Sequence, residues 1–140
     1  MRIPMMFAAA AMLSLTMSAA SFAADAMPAG VAVKEVTTPG GPVKVLSDAK
    51  GMTLYTFDVD IAPGKSMCNK GCIEYWPALT AAADAKDTGA WTVVTRDDGS
   101  KQWAHKGKPL YTFVQDKAAA DFTGNGMPKD KPLWHCAVPG

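Results

Sequence analysis

Three sets of residues in this 140-residue chain have types and spacings suited to chemistry. The first is a Tyr followed five positions later by an Asp, and it is written twice: Tyr55 and Asp60 within GMTLYTFDVD, Tyr111 and Asp116 within GKPLYTFVQD. A phenol within reach of a carboxylate can act as an acid–base pair, or it can simply donate to the carboxylate and fasten the chain. No nucleophile and no phosphate-cradling glycine loop accompanies either copy, so catalysis lacks its other parts. An active site seldom needs a duplicate, whereas each half of a pseudo-symmetric sheet needs the same fastening. The expectation is a structural clamp at Tyr55, Asp60, Tyr111 and Asp116, and a chain that is not an enzyme.

The second set is Cys68-Asn69-Lys70-Gly71-Cys72. Two thiols with three residues between them reach each other if the segment turns, as Asn69 and Gly71 allow, so a local Cys68–Cys72 disulfide is expected in an exported chain. Thiol-disulfide oxidoreductases keep two residues between their cysteines, and Ile73 stands where c-type haem attachment would need a His; neither chemistry fits. The third set is Met67, Met127, His135 and Cys136. The two Met lie in matching segments between Asp and Trp. Thioether, thiol and imidazole together suit copper, which makes a periplasmic soft-metal or redox protein the alternative function. Cys136, the odd third cysteine, is left as a free thiol or as the bridge of a disulfide-linked dimer.

These residues sit on an internal repeat. The two phrases lie 56 positions apart and share Gly51/Gly107, Leu54/Leu110, Tyr55/Tyr111, Thr56/Thr112, Phe57/Phe113 and Asp60/Asp116. A Trp follows each, at 76 and 134, and a β-branched run precedes each, over 43–46 and 91–95. Val43–Leu46, a turn over 47–51 and Met52–Phe57 read as a hairpin. Trp91–Arg96, Lys101–His105 and Leu110–Val114, separated by turns over 97–100 and 106–109, read as a three-strand meander. Alternation then puts Tyr55 and Phe57 on one face and Leu54 and Thr56 on the other. Four such rings, each burying ~150–250 Å², are a large part of a small core. Trp76, Trp91, Trp103 and Trp134 are expected in the core or on sheet faces, and His105 faces solvent on its strand. The fold class is mainly β, with two diverged β-meander repeats packed as one small sandwich- or barrel-like domain with long irregular loops. Residues 25–41 form a lead-in, 42–80 the first repeat, 81–90 a linker and 91–138 the second repeat.

The ordered series Gly51 to Asp60, Cys68-x3-Cys72 with Trp76-Pro77, and Arg96-Asp97-Asp98-Gly99 leading to Gly107 to Asp116 resembles the secreted repeat family of unknown function with a Tyr-x4-Asp motif. The resemblance implies an exported two-repeat domain of unassigned biochemical role. Many members resemble lipoproteins; here no Cys follows the apolar N-terminal stretch to accept lipid.

Composition agrees with export. Residues 1–24 read as a signal peptide: Arg2, an apolar run to Met17, then small residues to Ala23-Ala24. Removing 24 of 140 leaves 116 residues with 13 basic and 13 acidic side chains. That balance gives no support to nucleic-acid binding, and the mature chain has no transmembrane segment. The sequence therefore predicts a soluble exported protein, periplasmic or extracellular. Its partner is an unidentified envelope protein or small ligand bound by a non-catalytic module.

Overall fold

The computed structural model describes residues 27–140, so the segment read as a signal peptide lies outside it. Eight strands follow in chain order: β1 (Ala32–Thr38), β2 (Gly41–Ser47), β3 (Tyr55–Phe57), β4 (Thr80–Ala81), β5 (Trp91–Thr95), β6 (Lys101–His105), β7 (Lys108–Pro109) and β8 (Trp134–Cys136). One five-residue helix, α1 (Gly71–Tyr75), lies between β3 and β4. The protein is mainly β and consists of two repeat-like units, each with a small sheet of its own; among the described residues no sheet closes into a barrel.

The first unit departs from the hairpin expected within it. Residues of the stretch read as a lead-in form β1, which pairs antiparallel with β2 along its whole length, from Ala32 opposite Ser47 to Thr38 opposite Gly41. Pro39-Gly40 makes the tight turn, where Pro presets φ and Gly supplies flexibility, and Thr38 Oγ1 donates to the Gly41 carbonyl at 2.7 Å. Beyond β2 the chain does reverse at Asp48, whose Oδ1 accepts the Lys50 and Met52 amides at 2.9 Å. Return pairing with β2 is confined to a bridge at Ser47–Thr53 and the Leu54 amide on the Leu46 carbonyl. β3 then leaves to pair with β8 of the other unit, Tyr55 opposite Cys136 and Phe57 opposite Trp134.

The second unit contains the expected hairpin of β5 and β6, but the third strand expected over 110–114 is replaced by the two-residue β7 ahead of it. β6 is its centre, pairing with β5 from Trp91↔His105 to Thr95↔Lys101 and with β7 at Ala104↔Pro109. β4, from the end of the first unit, takes the remaining half of the β6 edge at Thr80↔Gln102. The third strand begins earlier than expected, at Lys108, and Tyr111 turns away from it. Tyr111 pairs instead with Tyr55: each amide donates to the other's carbonyl, at 2.8 and 3.0 Å. The two copies of the phrase thus cross antiparallel at their own tyrosines, which places an approximate two-fold axis there.

Alternation through that crossing builds two cores. Leu54 and Leu110 point to one side, packing with Leu46, Trp91 and Ala137. Tyr55, Tyr111 and Phe113 point to the other, packing with Trp76, Trp134 and Cys68. Gly51 and Gly107, at equivalent places before each phrase, have φ of 77° and 81°, a conformation that excludes most side chains.

Candidate functional site

The aromatic core is a column. Phe113 stacks on Trp76 (ring centroids 4.1 Å apart), Trp76 on Trp134 (3.8 Å, planes 3° apart) and Trp134 on Phe57 (4.2 Å). The column is symmetric about its middle: each unit's Trp is held between the other unit's Trp and the other unit's Phe. Tyr55 meets Trp76 edge-on at 5.4 Å, and Tyr111 meets Trp134 edge-on at 5.1 Å. Gly124 is required beside it, because a Cβ there would sit 2.6 Å from the Trp76 ring.

The Tyr–Asp pairs are crossed. Tyr55 Oη donates to Asp116 Oδ2 at 2.5 Å and Tyr111 Oη donates to Asp60 Oδ2 at 2.6 Å, so each tyrosine is fastened by the other unit's carboxylate. The second oxygen of each Asp accepts an amide seven residues on, Met67 for Asp60 (2.6 Å) and Thr123 for Asp116 (3.0 Å). Each carboxylate therefore pins its own loop to its neighbour's core. Burial, then the hydrogen bond to the carboxylate, pushes both phenols well above their ordinary range. Burial also raises the Asp60 carboxyl, against the hydrogen bonds from Tyr111 and Met67. A phenol so raised remains a proton donor near neutrality and makes a poor general base.

A buried guanidinium extends the first clamp. Arg96 Nη1 donates to Ser66 Oγ (2.9 Å) and Gln102 Oε1 (2.7 Å); Nη2 donates to the Cys68 carbonyl (2.5 Å) and Asn69 Oδ1 (3.1 Å). Ser66 Oγ lies 2.6 Å from Tyr111 Oη, so two hydroxyls link the Asp60 carboxylate to the Arg96 cation. The Cys68 and Cys72 sulfurs, 2.02 Å apart, form a disulfide that ties the same loop to the first turn of α1. At the second clamp the cation is Lys34, whose Nζ donates to the Gly51 and Ala119 carbonyls and feels the Asp116 charge. Among the described residues no buried side-chain nitrogen or oxygen lacks a partner.

The crossing itself is testable. Tyr55→Phe combined with Asp116→Ala is expected to show a coupling energy of about 1–2 kcal/mol in denaturant unfolding, whereas Tyr55→Phe with Asp60→Ala, the pair close in sequence, is expected to add. Coupling between Tyr55 and Asp60 instead would mean that each unit fastens itself.

The soft donors occupy different surroundings. Met127 packs against the aromatic column, and the Met67 side chain is exposed. His135 and Cys136 are neighbours on β8 and point to opposite faces of it. His135 Nε2 lies 2.8 Å from Asp58 Oδ2 at the surface, while burial pushes the Cys136 thiol up to about 11, leaving it protonated near neutrality. Among the described residues no three His, Cys, Asp or Glu converge as a metal group. His105, expected to face solvent, is half-buried with its ring against Trp91 at 4.6 Å. The signal for Arg96 was present in the sequence: in the run read as a strand over 91–96 it follows Val94 by two residues, and although β5 ends at Thr95 it keeps that inward face.

Two clefts open beside this framework. One, of about 270 Å³, runs along the column and is walled by Tyr75, Trp76, Phe113, Met127, Pro128 and Trp134, with Gln115 its polar residue. The other, of about 360 Å³, lies where the β6–β7 hairpin meets the β3–β8 ribbon.

The fold and clamps define a class: a two-unit β module whose halves interlock through a shared aromatic column and exchanged carboxylates. Both halves, residues 35–80 and 92–137, match the model of the secreted repeat of unknown function, and the chain belongs to that family. No curated protein and no solved structure matches it. Among the described residues no helix is long and apolar enough to cross a membrane.

Proposed function

We propose that the protein is a non-catalytic binding module of the cell envelope, exported to the periplasm or beyond, which takes a small, flat, largely apolar molecule in the cleft along the aromatic column. The carrying observation is the cleft's wall. Stacked rings line it, Met127 and Pro128 face them, and Tyr75 stands at the rim with 56% of its surface exposed. A rigid aromatic wall favours a planar guest, and Gln115 offers one amide to a hydroxyl or carbonyl on it. The interlocked rings cannot collapse into the space, so the cleft is formed before the ligand arrives. The crossed Tyr–Asp pairs, with their raised phenols and satisfied carboxylates, supply rigidity and leave nothing over for acid–base work.

The test is a titration with 1-naphthol, followed by quenching of tryptophan fluorescence. Saturable quenching is expected, with affinity reduced about tenfold in Tyr75→Ala and melting temperature unchanged, since an exposed rim residue contributes little to folding. Quenching that never saturates, or that Tyr75→Ala leaves untouched, overturns the assignment.

A further inference from the structure

The second cleft carries more polar surface than the first, and two lysines and two histidines line it. His105 and Lys108 are directly opposed across β6 and β7, and Thr56 and His135 across β3 and β8. All four line the cleft, together with Lys106 from the hairpin turn and Asp58 from the end of the first phrase. The carboxylate among them is already engaged by His135 Nε2 at 2.8 Å. The Lys106 and Lys108 ammonium groups, by contrast, have no hydrogen-bond or ion-pair partner among the described residues. Both histidines of the chain are thus gathered at one place, although they lie 30 positions apart in sequence.

The hairpin turn supports a role for Lys106 beyond connection. Lys106 and Gly107 make a two-residue loop with φ of 50° and 81°. The first place in such a turn favours Asn, Asp or Gly, and a Lys there adopts a left-handed backbone that its side chain disfavours. Its placement brings the ammonium to the cleft. Val138, with 53% of its surface exposed, gives the cleft an apolar wall. That edge is made by residues near the end of the chain, including Val138 and Gly140.

We propose that this cleft is a binding site for a small organic oxyanion, a phosphate ester or carboxylate, with its charged group held by Lys106, Lys108 and the imidazoles and its apolar body against Val138. Asp58 acts as a positioning residue: by accepting from His135 it fixes that ring's orientation. The site is separate from the aromatic cleft and does not rest on what that cleft binds.

Because the chain has two histidines and both line the cleft, their imidazole proton resonances report on it directly. Phenyl phosphate, added to the folded protein at constant ionic strength, is expected to move both resonances saturably at millimolar concentration, and inorganic phosphate to do so more weakly for want of the apolar body. Lys106→Ala/Lys108→Ala is expected to lower the phenyl phosphate affinity at least about tenfold without changing the melting temperature. Lys129→Ala/Lys131→Ala, which removes two charges elsewhere, is expected to leave it unchanged. Linear shifts, equal shifts from sodium chloride, or equal losses in both double variants each overturn the site. Binding of inorganic phosphate as tightly as phenyl phosphate removes the apolar wall from the site and overturns the organic ligand.

Discussion

Trp134→Ala is expected to cost about 4 kcal/mol, near the upper end for a buried aromatic, and to lower the melting temperature by roughly 15–20 °C. The size follows from position. Trp134 stacks on Trp76 and on Phe57, receives the edge of Tyr111, and carries the backbone of β8, whose pairing with β3 joins the two units. Its removal opens a cavity at the centre of the column and leaves Trp76 with one stacked neighbour, Phe113. Trp134→Phe is expected to recover about half of the loss, because a ring still fills part of the gap and stacks. Chemical denaturation of the two variants checks this. Losses below about 1.5 kcal/mol for Trp134→Ala would show that the column is not the element that holds the units together.

Arg96→Ala is expected to be comparably severe, about 3–5 kcal/mol, for a different reason. The guanidinium is buried, with 7% of its surface exposed, and its four acceptors all belong to groups facing the protein interior or the loop over it. Deleting it leaves the Cys68 carbonyl and the Gln102 oxygen without a donor, and removes the positive charge linked through Ser66 and Tyr111 to Asp60. Arg96→Lys keeps the charge and loses the fork, so a smaller loss is expected. Amide hydrogen exchange distinguishes this effect from general destabilisation. Protection of Met67 and Cys68, whose amides bond to Asp60 and Ser66, is expected to fall more than that of the β5–β6 pairing. Equal losses across the protein would place Arg96 in the general core.

The clamp shows how much of the site the sequence carries. Residue types, spacing and duplication were enough to expect aromatic rings packed together and carboxylates fastening turns, because alternation along a strand and the hydrogen-bond valence of an Asp are local properties. Which Asp serves which Tyr is not local. Tyr55 and Asp60 are five residues apart, yet Tyr55 donates to Asp116, 61 residues away. The same limit explains β1: Lys34 and Glu35 interrupt its apolar pattern, and its strand character depends on β2 lying alongside. It also explains the hairpin expected over 43–57. Tyr55 to Phe57 has a better partner in β8, and competition between distant segments cannot be weighed from either segment alone. The soft donors illustrate the converse. Met67, Met127, His135 and Cys136 occupy matching or adjacent positions, but a turn exposes one Met, the column takes the other, and a strand sends His and Cys to opposite faces.

By itself, the sequence determined that the protein is β-rich, that it is built twice over, that its rings alternate with its aliphatic side chains, and that Cys68 lies within bridging reach of Cys72. These follow from side-chain periodicity and short-range geometry, which a chain carries wherever it goes. Only the tertiary structure decided that the two units exchange their carboxylates and sandwich one another's tryptophans, that Arg96 and Lys34 stand near the clamps, and that two histidines and two lysines meet at one cleft. Those arrangements depend on which of several possible strand pairings buries the most aromatic surface with every polar group satisfied, a property of the whole chain at once.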